Sequence, residues 1–506
     1  MKKIYVYLLL AISAISCEDF LELEPVNNFT VDGFFENESQ LDRAVSGAYI
    51  KNRALHNNYQ WKIGEMRSDN TSFQDNPNQT ANLNLEEMDY FLMTVGNNEV
   101  RDYWRELYDG ISRCNYVLLN IDGINFMDNT NKNVRKGEAL FLRVWYFFNL
   151  ARAYGDVPYT VNTVSTLDEA LSDEFIARID QDVVYDSLMI DIDKAIEYLP
   201  VSHPQEDYGR ATRGAALMLK AKMLMTHNQR YDLAIPVLEE LTSLGYELLD
   251  DYESIFNPDN KGNREMIFEI QYSFALGQVS NFISRFVPWN SGTDLLFEGT
   301  EIASPGSGRN QPTREIIDLY SDDDVRKGVN IAYYITNDGD SIPYMGKYAY
   351  PLLNIGAQDV NWPMFRYADA LLMLAECYNE VNGFDQNAIG ILNLIRLRAG
   401  VPPYSDASSD PDLVLDGPEA LGEAIARERR LELLFENHRW FDLVRRGEAE
   451  EVMLAHGLDE KDDKGLLEEG GIVPGQAYTT VRTLFPIPEA QLLRFGYEQN
   501  EVWTTN

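Results

Sequence analysis

The sequence predicts an all-α-dominated fold, a helical-repeat scaffold that carries a loop-rich insert bearing short strands. Three observations predict it. Long stretches repeat apolar residues at three- and four-residue steps, two helical hairpins far apart in the chain echo one another, and the composition between those copies turns to short β-rich runs broken by Gly, Pro, Asn and Asp. At 506 residues the chain exceeds the about 250–300 that one compact core serves, so several domains or an elongated helical array is expected.

The chain opens with Met1-Lys2-Lys3 and an apolar run over 4–15 that ends at Ser16-Cys17. The run is shorter than the about 20 residues needed to span a bilayer as a helix, but it suits a secretory h-region after a basic n-region. Ala14-Ile15-Ser16-Cys17 is similar to a bacterial lipoprotein cleavage box, which implies a signal peptide over 1–16 and lipid on Cys17. Glu18 and Asp19 resemble the acidic signal that sends some Gram-negative lipoproteins to the outer face of the outer membrane. A polar tether over 17–30 follows.

Helices are then predicted over 39–53, over 101–121 with Tyr103, Leu107, Ile111, Tyr116 and Leu119 on one face, over 135–154 before Gly155 and Pro158, and over 181–199 before Pro200. Shifting the chain by 154 positions aligns Leu217 with Leu371, Ala221 with Ala375, Ala234 with Ala388, Ile235 with Ile389, Leu238 with Leu392 and Leu241 with Ile395. Each copy reads as helix, turn, helix, with a small residue on each helix where two helices can approach closely. This is the logic of tetratricopeptide-like pairs. Between the copies, Met266-Ile267-Phe268-Glu269-Ile270 and Ala332-Tyr333-Tyr334-Ile335 read as strands, while 288–292 and 304–312 read as long exposed loops. A second loop-rich insert runs over 69–98.

The stretch 424–447 reads as one long helix stopped by Gly447. Its apolar arc is too wide for a surface helix, so the charges threaded through it must be paired. Glu428, Glu432 and Glu436 with Arg439, Asp442 and Arg446 form a ladder at steps of three and four. The expectation is a buried structural helix whose ion pairs fix how its neighbours dock.

Composition narrows the function. A formal charge of −38, from 81 acidic against 43 basic residues, argues against nucleic acid and against electrostatic docking on anionic lipid. Beyond Cys17 the chain has Cys114 and Cys377, each in an apolar helical pattern; two inert buried thiols are expected, and the sequence leaves a bridge between them open. The five histidines, His56, His203, His227, His438 and His456, have no metal-pair spacing, and no nucleophile elbow, zincin, Cys-x-x-Cys, dinucleotide or phosphate-loop motif occurs. Carboxylate pairs for glycoside hydrolysis are always available among 81 acids, so they carry no signal. The acidic stretches Asp322-Asp323-Asp324 and Asn257-Pro258-Asp259-Asn260 lack the spacing of a twelve-residue calcium loop and read as turns or helix caps. No cofactor is expected, and no enzyme.

The order of several short motifs resembles the SusD/RagB family of surface nutrient-binding lipoproteins. These are Cys17-Glu18-Asp19-Phe20-Leu21, Gly137 to Arg143, Tyr154-Gly155-Asp156-Val157-Pro158, Gly209-Arg210-Ala211-Thr212, Arg366-Tyr367-Ala368-Asp369, Ala375-Glu376, Arg439-Trp440-Phe441-Asp442-Leu443 and Pro486-Ile487-Pro488. The resemblance covers nearly the whole mature chain, fades in the ligand loops, and meets an altered family pattern in the terminal segment, at Arg494 to Tyr497 and Glu501 to Trp503. It implies four tetratricopeptide-like pairs under a variable, loop-rich ligand face, in one domain over 31–506 with scaffold at 31–245 and 364–450 and ligand-face segments at 69–98 and 246–363. It further implies binding of a glycan, or in some members a peptide, without chemistry, and delivery as a lid to a SusC-like TonB-dependent transporter at the cell exterior. A surface glycoside hydrolase is the alternative from another class.

A sugar offers axial C–H groups to an aromatic face and hydroxyls to planar polar groups. The loops supply Phe73, Gln74 and Asn76 in the first insert and Trp289, Asn290, Arg309 and Tyr344 in the second, with Trp289 foremost because it stands between Pro288 and Asn290-Ser291-Gly292. Arg309 could locally reverse the acidic surface's aversion to charged polymers. Trp61, Trp104, Trp145 and Trp440 read as core, and Trp362 as ambiguous.

Overall fold

The structure, a computed structural model, describes residues 35–74, 83–164, 166–297, 301–405, 408–463 and 476–504. The signal peptide, Cys17, the tether and Asn76 lie outside these residues. Among the described residues, six of the long helices begin where the sequence supplies a side-chain acceptor for the first free N–H groups. We label them α1 (Glu38–Leu55, capped by Asn37), α2 (Asn98–Asn120, Asn97), α3 (Asn129–Tyr154, Asp128), α4 (Gln181–Tyr198, Asp180), α5 (Arg213–Thr226, Thr212), α6 (Tyr231–Thr242), α7 (Tyr367–Asn382) and α8 (Gln386–Arg398, Asp385). After these come α9 (Pro418–Glu432), α10 (Arg439–Arg446) and α11 (Ala449–Asp463).

Each helix from α1 to α8 packs on its successor, and α7 and α8 both pack on α9, so the scaffold is a stack of antiparallel pairs. The two halves of the internal repeat, α5–α6 and α7–α8, become neighbours through α6 against α7, although more than a hundred residues separate them in sequence. The small residues Ala221, Ala234, Ala375 and Ala388 are fully buried, as close helix approach requires. On α2 the buried stripe drifts away from the expected face: Leu119 is 63% exposed, and Cys114 and Val117 take its place in the core. Cys114 and Cys377 are free, buried thiols with no bridge, and burial pushes the Cys114 thiol up to about 12. No helix among the described residues is long and apolar enough to cross a membrane.

The strands pair in twos, all antiparallel. They are β1 (Thr71–Ser72) with β5 (Gln311–Pro312), β2 (Val157–Pro158) with β3 (Arg178–Ile179), β4 (Met266–Ile270) with β8 (Trp362–Arg366), and β6 (Ile331–Ile335) with β7 (Ser341–Met345). β4 and β8 are buried along their whole length, which settles Trp362, 1% exposed, as core beside Trp61, Trp104, Trp145 and Trp440.

The stretch 424–447 is not one helix. α9 ends at Glu432 and α10 begins at Arg439, with Phe435 at φ +66° and Asn437 at φ +68° between them. The left-handed residues break the ladder that sequence spacing predicts, and most of its charges pair with other parts of the chain. Glu428 receives Arg326 at 2.7 Å and Arg396 at 3.1 Å; Glu432 receives Arg398 at 2.6 Å, Arg366 at 3.0 Å and Arg326 at 3.1 Å; Glu436 receives Arg366 at 2.7 Å and Lys347 at 2.8 Å. Arg366 also meets Glu265 at 2.5 Å. Burial alone would raise the Glu432 carboxyl, but Arg398, Arg366 and Arg326 hold it at about 2.

Distant side chains also satisfy the backbone of this turn. The carbonyls of Leu431, Glu432 and Leu434 accept from Tyr320 Oη, Tyr252 Oη and Lys347 Nζ, and the N–H groups of Phe435 and Asn437 donate to Glu65 at 3.1 and 2.9 Å. Glu65 lies on a π-helical turn, Lys62–Met66, brought against the break because Gly64 has no side chain: a Cβ there would stand 2.4 Å from the Asn437 carbonyl oxygen. Burial raises the Glu65 carboxyl to about 7 against those hydrogen bonds.

Arg366 is the counter-charge shared by three buried carboxylates, so Arg366→Ala strands Glu265, Glu432 and Glu436 without it. The expected loss is about 3–5 kcal/mol in urea unfolding, whereas Arg264→Ala, which breaks the exposed pair with Glu247, leaves the midpoint in place.

Candidate ligand face

The break between α9 and α10 anchors the loops that carry the candidate ligand-face residues. Four residues after Glu65, Asp69 is fully buried and accepts a two-pronged pair from Arg439, 2.8 Å on each oxygen, with Arg430 at 2.9 Å. Burial would raise its carboxyl, but Arg439 and Arg430 hold it well below the usual carboxylate range. Arg430 also donates to Asn70 Oδ1 at 2.8 Å, and Thr313 closes over the same segment by donating its hydroxyl to the Asp69 carbonyl at 2.9 Å. The start of the first insert is therefore pinned core, not exposed loop.

From this anchor the chain runs straight into β1, paired with β5, and Thr71 Oγ1 donates to Asn310 Oδ1 at 2.7 Å. Two residues beyond β1, Gln74 joins the two inserts. Its N–H donates to the Gly308 carbonyl at 2.6 Å, its Oε1 accepts from the Trp289 N–H at 3.0 Å, and its Nε2 donates to Asn290 Oδ1 at 3.1 Å. Trp289 and Asn290 sit on a 3₁₀ turn, Trp289–Ser291, which Ser291 locks by donating both N–H and hydroxyl to the Pro288 carbonyl. Gly308 N–H donates to the Val287 carbonyl at 2.9 Å and Arg309 N–H to the Arg285 carbonyl at 3.0 Å, so the 306–310 strand of loop lies along the Trp289 turn.

The expected site residues divide clearly. Trp289 is half-buried, Asn290 exposed and Arg309 half-buried; the fold joins the first two to Gln74, and Arg309 follows Gly308, whose carbonyl accepts from the Gln74 N–H. Phe73 is half-buried and packs on Tyr90, with ring centroids 5.2 Å apart. Tyr344 is corrected to core: it is 5% exposed and packs with Ile283, Val287, Phe297, Tyr334 and Leu352, because strand alternation turns it inward from β7. Within the loop 304–312, expected to be exposed, Asn310, Gln311 and Pro312 are buried by the β1–β5 pairing. Asp324 caps the helix Val325–Asn330 and pairs with Arg326, and Asn257 accepts from the Asp259 N–H, so both acidic stretches serve as caps.

Sequence reasoning named Gln74 only in passing and missed Gly308. The run Ser304-Pro305-Gly306-Ser307-Gly308 signalled a turn, but no spacing rule joins it to Gln74, 234 positions away.

Two family models match this chain. One, described as "Starch-binding associating with outer membrane", covers residues 19–225, and the other, described as "SusD family", covers 344–503. This chain belongs to the SusD family. Among its relatives, SusD-like protein P25 of Formosa agariphila is 27% identical over 493 residues, covering 88% of this chain and 90% of that one, and SusD-like protein P2 of the same organism is 25% identical, covering 90% and 92%. A laminarin-binding SusD-like protein has the same fold with a TM-score of 0.75 at 23% identity, over 92% of this chain and 100% of the other. Surface glycan-binding protein A from Bacteroides thetaiotaomicron, solved in complex with laminarihexaose, matches with a TM-score of 0.71 at 22% identity, over 92% and 99%.

Gly308 sits at φ +61°, and a Cβ on it would stand 2.8 Å from Gln74 Cβ and Oε1 and 3.3 Å from Trp289 Cδ1. Gly308→Ala therefore costs about 1–2 kcal/mol of backbone strain plus the displacement of Gln74. Urea unfolding shows a larger loss than for Gly277→Ala, whose φ is +67° with open space around it.

Proposed function

We propose that this SusD-family protein captures a glycan at the cell surface and hands it, uncleaved, to a TonB-dependent outer-membrane transporter, over which it acts as a lid. In this reading lipid on Cys17 holds the chain to the membrane and the ligand face turns to the exterior. One observation carries it: two inserts far apart in sequence converge so that a half-buried indole, Trp289, stands beside the exposed amide of Asn290 and the bridging amide of Gln74. An aromatic platform flanked by planar hydrogen-bonding groups fits the alternating apolar and hydroxyl faces of a sugar ring. A locked 3₁₀ turn and a buried-charge anchor leave little entropy to lose on binding. The glycan-binding neighbours of the same fold support this reading. So does the helical scaffold, which offers a rigid frame and, in the sequence, no nucleophile or metal motif for hydrolysis.

The chain from residue 18 onward is titrated calorimetrically with a panel of neutral and charged glycans and of peptides, and the mixtures are then analysed for products. The expected result is saturable binding of a glycan with no cleavage, weakened about tenfold or more by Trp289→Ala with unfolding unchanged. Cleavage products that persist through repurification contradict a binding role. Selective binding of a peptide moves the chain to the peptide-binding reading.

A further inference from the structure

Beside Trp289 lies a concentration of positive charge that the chain's composition does not lead one to expect. The protein carries −38 overall, so an anionic polymer meets a repulsive surface almost everywhere. Arg309 N–H nevertheless donates to the Arg285 carbonyl at 3.0 Å, and Arg285 donates to Asn57 and Asn58 on the segment just before Lys62, so three cations gather at one edge of the candidate ligand face, with Glu99 as the carboxylate paired to Lys62.

Two of these cations are already occupied. Lys62 Nζ pairs with Glu99 Oε2 at 2.6 Å and lies over the rings of Tyr59 and Trp61, at 5.2 and 5.4 Å. Arg285 donates to the Asn57 carbonyl and, at 3.2 Å, to Asn58 Oδ1. Arg309 is different. Its backbone is fixed through the Arg285 carbonyl, but among the described residues no carboxylate, carbonyl or side-chain oxygen accepts from its guanidinium. Burial lowers its pKa, and Glu99 only partly offsets this. A half-buried guanidinium with no protein acceptor has lost part of its hydration and leaves its fork open to an acceptor from outside.

Such an arrangement is retained when a ligand supplies the missing acceptor. An arginine fork matches the paired oxygens of a carboxylate or a sulfate. Resting on the glycan-capture reading above, we propose that the ligand is an anionic glycan, with a uronate carboxylate or sulfate ester seated on Arg309 while a neighbouring ring packs on Trp289. Gly308, the residue immediately before Arg309, makes the two compatible, because it lacks the Cβ that would stand 2.8 Å from Gln74 and 3.3 Å from Trp289 Cδ1. Lys62 and Arg285 add long-range attraction that steers the polymer to this edge of an otherwise acidic surface.

Three probes separate the possibilities: an oligogalacturonide for the carboxylate, a carrageenan oligosaccharide for the sulfate, and laminarihexaose as the neutral reference. Each is titrated into the chain from residue 18 onward, into Arg309→Gln and into Arg309→Lys, at low salt and at about 0.5 M salt. The expected result is that one charged probe binds at least about tenfold tighter than laminarihexaose at low salt, that salt erodes the advantage, and that Arg309→Gln removes it while Arg309→Lys restores part. Which charged probe gains identifies the anion. Equal affinity for neutral and charged probes, or a charge preference untouched by Arg309→Gln, overturns this inference and leaves glycan capture standing. Absence of binding to any glycan of the wider panel by the folded chain overturns both.

Discussion

Everything in this molecule leans on how three buried carboxylates, Glu428, Glu432 and Glu436, are neutralised where α9 gives way to α10. A carboxylate in a dry interior is tolerated only when counter-charges and hydrogen bonds surround it. Here the counter-charges come from segments spread over more than seventy residues: Arg326, Lys347, Arg366, Arg396 and Arg398. Such pairs are not efficient sources of net stability, since apolar residues of similar volume would do as well. What they supply is register. The insert strands, the second repeat copy and the broken helix can each satisfy these charges in one mutual arrangement.

The same junction reaches the ligand face within a few residues. Glu65 holds the turn backbone, Asp69 takes Arg430 and Arg439, and β1 then leads directly to Gln74, which clasps Trp289, Asn290 and Gly308. The site is thus carried by a short run of chain whose root lies in the charged core and whose tip touches the other insert. This explains how loops can hold an indole in a defined pose: their bases are tied by charge-assisted hydrogen bonds to a fully buried carboxylate.

Much of this architecture was legible in the sequence. Apolar periodicity and the stops at Gly155, Pro158 and Pro200 located α1 through α4, and the 154-position echo identified the two hairpins, α5–α6 and α7–α8, that the fold stacks side by side. The strand 266–270 was readable from its composition. What stayed hidden depends on long-range partners. The i,i+4 ladder over 428–446 is a valid reading of helix geometry, but Phe435 and Asn437 adopt left-handed conformations because Glu65, more than 350 positions away, accepts both of their N–H groups, and no local rule anticipates that. Tyr344 looked like a loop aromatic because its strand is short; only the pairing with Ile331–Ile335 turns it into the core. Trp289 and Asn290 stood out as candidates because proline and glycine flank them. Gln74 acquires its place from contacts across 215 to 234 positions, and Arg309 is fixed by the Arg285 carbonyl.

The most direct measurement is amide hydrogen exchange of the native chain and of Arg439→Gln. The substitution removes the charged fork on Asp69 without touching Gln74, Trp289 or the repeat helices. If the buried junction positions the ligand face, exchange accelerates through residues 70–74 and 306–313 while α5 to α8 stay protected. Unchanged exchange in both loop segments, or acceleration spread evenly over the helical pairs, contradicts the claim that this charge anchor is what holds the ligand face in place.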